Sequence, residues 1–268
     1  MGPSVAVLHL PDTIVLSRYP ASAALMQAVV DHWEHQLRLR LEQADPRPLG
    51  LATGRTMEPF YAALVARLCR WDPSDLGQLR RRWLSFNLDE YVGLSADHPA
   101  SFSWFMQQQL GLPLGLTPEQ LRVPNGAASD PAREAQHYLQ DLESAGGIGL
   151  QLLGLGVNGH VGFNEPPCSA DATCRCVQLS RATQEQNAGD FADDPDAVPA
   201  RAITLGLKEI LAAQEVHLIV TGASKASILR QVFAGGSDAS LPASWLLGHS
   251  RVRLWVDDAA LGNAVAAG

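Results

Sequence analysis

Leu49-Gly50-Leu51-Ala52-Thr53-Gly54-Arg55-Thr56 runs from a short apolar stretch into a Thr/Gly turn, and a helical pattern begins two residues later at Glu58. A buried strand, a glycine-bearing turn and a helix, in that order, form the repeating unit of a parallel α/β sheet. The same order recurs toward both ends of the chain. Strand patterns fall at residues 5–8, 49–52, 84–88, 148–155, 174–179, 216–220 and 252–256. Helical patterns fall at residues 21–43, 58–68, 74–82, 101–110, 132–144, 204–212 and 224–233. In the first helix Leu25, Val29, Trp33 and Leu37 recur every fourth residue, while Asp31, Glu34 and Arg38 take other faces. This alternation predicts an α/β fold: a single doubly wound, mostly parallel sheet of Rossmann-like type with helices on both faces. Residues 190–199 are the most loop-like stretch, and no repeat or linker divides the pattern, so residues 1–268 read as one domain.

The chain has 268 residues, 46% hydrophobic and 18% charged, which is ordinary for a folded domain and excludes a disordered one. Twenty Lys+Arg against twenty-eight Asp+Glu give a formal charge of −8 with no basic block. Nucleic acid is therefore not an expected partner, because it calls for a concentrated positive face. No apolar run reaches the ~18 residues of a membrane span, and Met1-Gly2-Pro3-Ser4-Val5-Ala6 lacks the basic start of a signal peptide. A cytoplasmic location is expected, with self-association left open. Cys69, Cys168, Cys174 and Cys176 contain no Cys-x-x-Cys spacing, so reduced thiols are expected and no metal. Only two of the cations are lysines, Lys208 and Lys225.

Four loops follow strands and so lie where α/β sheets bind ligands. In the first, Thr53, Gly54, Arg55 and Thr56 offer backbone N–H groups, hydroxyls and a guanidinium, which suits a phosphate. Thr56 as a simple helix cap is the other reading. The second, Ser85-Phe86-Asn87-Leu88-Asp89-Glu90-Tyr91, ends a strand in two adjacent carboxylates. Partial burial would fit one of them to abstract a proton beside a carbonyl; a solvated strand end is the alternative. The third runs Leu153-Gly154-Leu155-Gly156-Val157-Asn158-Gly159-His160-Val161-Gly162-Phe163-Asn164-Glu165-Pro166. It contains G-x-G-x-x-G, but a dinucleotide site also needs an acid at the end of the next strand, which here reads Gln178-Leu179-Ser180. A nucleotide cofactor is thus not expected. What remains is a glycine-rich loop bearing Asn158, His160 and Glu165, in which a carboxylate can orient an imidazole for acid–base work. The fourth, Val220-Thr221-Gly222-Ala223-Ser224-Lys225, places a lysine at a helix start, explained by an anion shared with the backbone N–H groups or by a plain surface position.

These loops together resemble the glucosamine-6-phosphate deaminase family, which is related to the 6-phosphogluconolactonases. The resemblance rests on residues 51–56, on Phe86-Asn87-Leu88-Asp89-Glu90-Tyr91-Val92-Gly93-Leu94 and on residues 154–166. It continues through Ala202-Ile203-Thr204-Leu205-Gly206-Leu207 and residues 220–225. It implies a cofactor-independent aldose–ketose isomerisation of a hexosamine 6-phosphate with loss of ammonia. By the same resemblance Asp89 is the base that moves a proton from C2 to C1. His160, with Glu165 behind it, opens the sugar ring, and Thr53, Gly54, Arg55, Thr56 and Lys225 hold the phosphate.

Three departures stand out. Glucosamine enzymes of the family usually carry Asp where this chain has Asn158, and an amide cannot be a charged partner for His160. Asn158-Gly159-His160, residues 203–208 and Pro242-Ala243-Ser244-Trp245-Leu246 with His249 look nearer to the galactosamine-6-phosphate branch. Gly189 falls where the glucosamine enzymes place a phosphate-contacting Arg. Cys168 and Val177 replace a hydroxyl and a lysine of an allosteric anion site in which only Arg175 is kept, so such activation is not expected. Two other readings use the same fold: a lactonase needing only water activation by His160, and a sugar-phosphate-sensing module, which could dispense with Asp89.

Overall fold

The computed structural model describes residues 7–43, 46–262 and 265–267. The elements in chain order begin with β1 (Val7–His9), β2 (Ile14–Tyr19), α1 (Ser22–Glu42), β3 (Leu49–Leu51), α2 (Glu58–Leu68), α3 (Pro73–Arg82), β4 (Ser85–Asn87) and β5 (Asp89–Tyr91). Next come α4 (Phe102–Met106), α5 (Leu112–Leu114), β6 (Leu121–Arg122), α6 (Pro131–Ser144), β7 (Leu150–Gly154), β8 (Arg175–Gln178), α7 (Arg181–Asn187) and β9 (Arg201–Thr204). The last are α8 (Leu207–Leu211), β10 (Glu215–Val220), α9 (Ala226–Phe233), β11 (Val252–Asp257), α10 (Asp258–Leu261) and β12 (Val265–Ala267).

Seven strands form one parallel sheet in the order β2-β11-β10-β7-β3-β4-β6. All six residues of β10 are buried, as a strand covered on both faces requires. α1 turns Leu25, Met26, Val29, Val30, Trp33 and Leu37 inward, each worth about 1.5–3 kcal/mol over full exposure. Asp72 and Asp130 cap α3 and α6 by accepting from backbone N–H groups of their first turns. The strand order reverses between β3 and β7. The crevice beyond their carboxyl ends is the place where such a sheet binds ligands.

The doubly wound parallel sheet is as expected, with three local differences. Residues 174–179 do form a strand, β8, but it joins β9 and β5 in a small antiparallel sheet beside the main one. Thr204 ends β9 rather than opening a helix, and α8 starts at Leu207. The edge strand β2 gave no strand signal, because only one of its six residues is fully buried. Of the expected strand at residues 5–8, residues 5 and 6 lie outside the described residues, as does the N-terminal stretch 1–6.

The small sheet rests on its own core of Tyr91, Phe163, Leu179, Ala188, Val198 and Ala202. Tyr91 sits 4.8 Å from Phe102 and 5.5 Å from both Phe163 and Phe191, ring centre to ring centre. Among the described residues no helix is long and apolar enough to cross a membrane.

Candidate active site

Asp89 is the hinge between the two sheets. The chain leaves the parallel sheet at Asn87, and Leu88 is fixed by bonds from its N–H to Leu51 O and from Leu205 N–H to its carbonyl. Asp89 then opens β5 opposite Thr204. Asp89 is 5% exposed and lines a cavity of about 490 Å³ at the switch point, and its carboxylate accepts no hydrogen bond from any described residue. Burial first, and the neighbouring Glu90 charge second, push its pKa up to about 8. Glu90, one residue on, faces the other way. It accepts from the N–H groups of Tyr91, Phe102 and Ser103 at 2.8–3.0 Å and so ties α4 to β5. The two adjacent carboxylates thus divide, one into the cavity and one into the scaffold.

The loop after β3 bends at Gly54, whose φ of +105° suits glycine. Thr56 does not cap α2: the cap position is Met57, with no side-chain hydrogen bond. Thr53, Gly54, Arg55 and Thr56 line the cavity. Lys225 enters from the other side. It ends a 3₁₀ turn, Ala223–Lys225, and precedes α9 rather than lying in its first turn. Neither Arg55 nor Lys225 pairs with a carboxylate among the described residues, and burial lowers the Lys225 pKa. Two cations that pair with no carboxylate thus line one cavity, a placement that suits an anion.

His160 is buried on the third side. Gly156 has no side chain because the imidazole ring lies against it, in the space a Cβ would fill. Asn158 Oδ1 accepts from the His160 backbone N–H at 3.2 Å and lies 2.6 Å from Nδ1. Because the backbone group can only donate, that atom is the amide oxygen, and Nδ1 carries the ring proton. Nε2 is then the free acceptor. Burial holds the His160 pKa down at about 4, with Lys225 lowering it and Glu165 pulling upward.

Glu165 was expected directly behind His160, and the structure corrects this. Its carboxylate accepts from Ser180 N–H at 2.8 Å, from Ser180 Oγ at 2.7 Å and from the Thr183 hydroxyl, at the N-terminus of α7. A helix N-terminus with two hydroxyls outcompetes one ring N–H for a carboxylate. Glu165 reaches His160 only through its field, and Asn158 orients the ring. Sequence reasoning did not single out Gln186, Asn187 and Asp190 as site residues, yet they line the cavity from α7 and the turn after it. Asn187 Nδ2 also donates to the Tyr91 hydroxyl at 2.9 Å. Their signal is weak because α7 buries only Thr183, so no apolar stripe marks it.

The loop after β7 passes through turns, not into a helix, so the G-x-G-x-x-G run lacks the helix N-terminus that a pyrophosphate needs. The cysteines near it do not group as ligands: burial pushes the Cys174 thiol up to about 12, and Cys168 lies against Arg175. Among the described residues one group has metal-ligating types together, His32, Glu215 and His217. There, His217 Nδ1 accepts from the indoles of Trp33 at 3.0 Å and Trp255 at 3.3 Å, so Nε2 bears the proton that bonds Glu215 at 3.0 Å. Both ring nitrogens are used, and Arg253 also holds Glu215. The group is a hydrogen-bonded strut at the start of β10, at the end of the sheet away from the cavity.

Known proteins match most of the chain in sequence and in fold. The family described as glucosamine-6-phosphate isomerases/6-phosphogluconolactonase matches residues 20–255. A glucosamine-6-phosphate deaminase of Geobacillus sp. (strain WCH70) is 41% identical over 213 residues, covering 80% of this chain and 82% of its own. One from Rhodopirellula baltica is 40% identical over 242 residues, covering 88% and 94%. Among solved structures, a monomeric glucosamine-6-phosphate deaminase superposes with a TM-score of 0.79 at 32% identity, over 92% of this chain and 99% of its own. A 6-phosphogluconolactonase from Thermotoga maritima, at 19% identity and TM-score 0.71, shares the fold. With the match running from α1 to β11 in sequence and in fold, the chain belongs to the glucosamine-6-phosphate isomerase/6-phosphogluconolactonase family.

Proposed function

We propose that the protein is a cofactor-independent hexosamine-6-phosphate deaminase/isomerase, residues 1–268 acting as one sugar-phosphate unit. The observation that carries this reading is the Asp89 carboxylate, buried without a hydrogen-bond donor and facing the same cavity as a neutral imidazole and two unpaired cations. Thr53, Gly54, Arg55, Thr56 and Lys225 hold the 6-phosphate. His160, oriented by Asn158, takes the proton of the anomeric hydroxyl on Nε2 and returns it to the ring oxygen, which opens the ring. Asp89 takes the C2 proton and delivers it to C1, while a proton of the C2 ammonium passes to the C1 oxygen, which leaves a C1 hydroxyl and a C2 iminium. Water then adds at C2, and ammonia leaves the ketose phosphate. A carboxyl that is largely protonated near neutral pH must first lose its proton, and a cationic amino group at C2 beside it favours that loss. Glu165 supports the loop from a distance.

Asn158 motivates a finer reading, a preference for galactosamine 6-phosphate over its glucose epimer. A buried hydroxyl that is paired in one epimer and stranded in the other gives such discrimination. The experiment is release of ammonia and ketose phosphate from each sugar. Turnover of either supports the deaminase; a higher kcat/KM for galactosamine 6-phosphate supports the preference, and equal values contradict it. No turnover of either, with hydrolysis of a phosphorylated lactone, would favour the lactonase; binding alone would favour a sensor.

A further inference from the structure

Gly189 lies in the short turn Ala188–Asp190 that follows α7, and its backbone conformation is one any residue adopts, since it is absent from the positive-φ glycines. Conformational freedom therefore does not explain a glycine there. A close approach does. The Arg55 guanidinium, from the loop after β3, lies against Gly189 so closely that a Cβ would collide with Nη2 and come within 3.1 Å of Cζ. No carboxylate accounts for the placement: Asp190 lines the same cavity, yet among the described residues Arg55 makes no ion pair with it or with any other acid. The turn itself is held fast. Ser180 caps α7, Glu165 bonds Ser180 and Thr183, and Asn187 bonds the Tyr91 hydroxyl. A fixed backbone without a side chain thus forms a seat, and a guanidinium with unpaired donors rests on it at the cavity mouth.

We propose that Gly189 is a positioning residue for phosphate-monoester recognition: its missing side chain seats Arg55 so that the fork of donors closes over the phosphate opposite Lys225. This rests on the phosphate reading of the cavity and extends it to a residue whose only role is to leave room. The obstacle a Cβ would create is the far end of a flexible side chain, so Gly189→Ala keeps the fold and displaces the guanidinium.

The test is a double-mutant cycle on wild type, Arg55→Ala, Gly189→Ala and the double variant, with KM and kcat for glucosamine 6-phosphate. Direct titration with inorganic phosphate on the same four proteins needs no turnover. Arg55→Ala should raise KM about tenfold, the scale of a lost charge-assisted hydrogen bond, with kcat changing less. Gly189→Ala should raise KM in the same way at unchanged melting temperature, and should add nothing in the Arg55→Ala background. Wild-type KM and phosphate affinity in Gly189→Ala would overturn the inference. So would an equal effect of Gly189→Ala with and without Arg55, or no effect of Arg55→Ala on phosphate. None of these touches the deaminase reading, which stands or falls on wild-type turnover.

Discussion

Asn158 Oδ1 binds His160 twice, at the backbone N–H and at Nδ1, and so fixes a neutral imidazole with its acceptor nitrogen free. An aspartate in the same place would add a negative charge 2.6 Å from the ring and favour the imidazolium. Asn158→Asp should raise the His160 pKa from about 4 by about 1–3 pH units. Following the ring resonances of His160 by NMR across pH checks this. An unchanged midpoint would mean that the ring is not governed by residue 158.

Asp89 and Glu90 divide the work of two neighbouring carboxylates, and the charge of one is felt by the other. The free-protein activity, kcat/KM, should rise with pH through a midpoint near 8, because the base is active only when ionised. Glu90→Gln removes the repulsion that helps hold the proton on Asp89. The midpoint should move to lower pH in that variant, and an unmoved midpoint would leave burial as the only cause.

Burying an ionisable base costs stability, with a definite sign. The Asp89 pKa is near 8 folded and about 3.8 unfolded, so the unfolded chain loses its proton first as pH rises. The cost therefore grows from about pH 4 and is complete above about pH 8. Asp89→Asn removes it and should stabilise the fold at pH 8 by on the order of a few kcal/mol, while the two proteins converge near pH 4. Urea unfolding at both pH values measures the difference. A destabilised variant at pH 8 would contradict the buried, unpaired carboxylate.

Lys225 lines the cavity, and in the proposed reading it holds the non-reacting end of the sugar phosphate. Lys225→Ala should mainly raise KM, since the lost contact is made in ground and transition states alike. Steady-state kinetics decide it, and a variant with unchanged KM would remove Lys225 from the anion site.

The parallel core was legible because β10 and β7 are apolar runs of strand length followed by glycine turns, a pattern set by local sequence. β5 and β9 were not, because Asp89–Tyr91 and Arg201–Thr204 are short and become strands only by pairing with each other. Asp89, His160 and the residue 53–56 loop stood out for the same local reason: polar groups at strand ends. The partners of Glu165 and Arg55 did not, since Ser180, Thr183 and Gly189 approach them only through the placement of α7 over the small sheet. Motifs name the reactive groups, while tertiary contacts decide which way each one faces.

The central claim, that Asp89 moves the proton between C2 and C1, is tested most directly by turnover in deuterated water. A carboxyl that carries the proton between the two carbons exchanges it in part with solvent, so wild type should place some solvent deuterium at C1 of the ketose phosphate. Asp89→Asn should lose about 10²–10⁴-fold in both exchange and deamination while still binding the sugar phosphate. Near wild-type exchange in that variant would contradict the account and turn attention to Glu90 as the base.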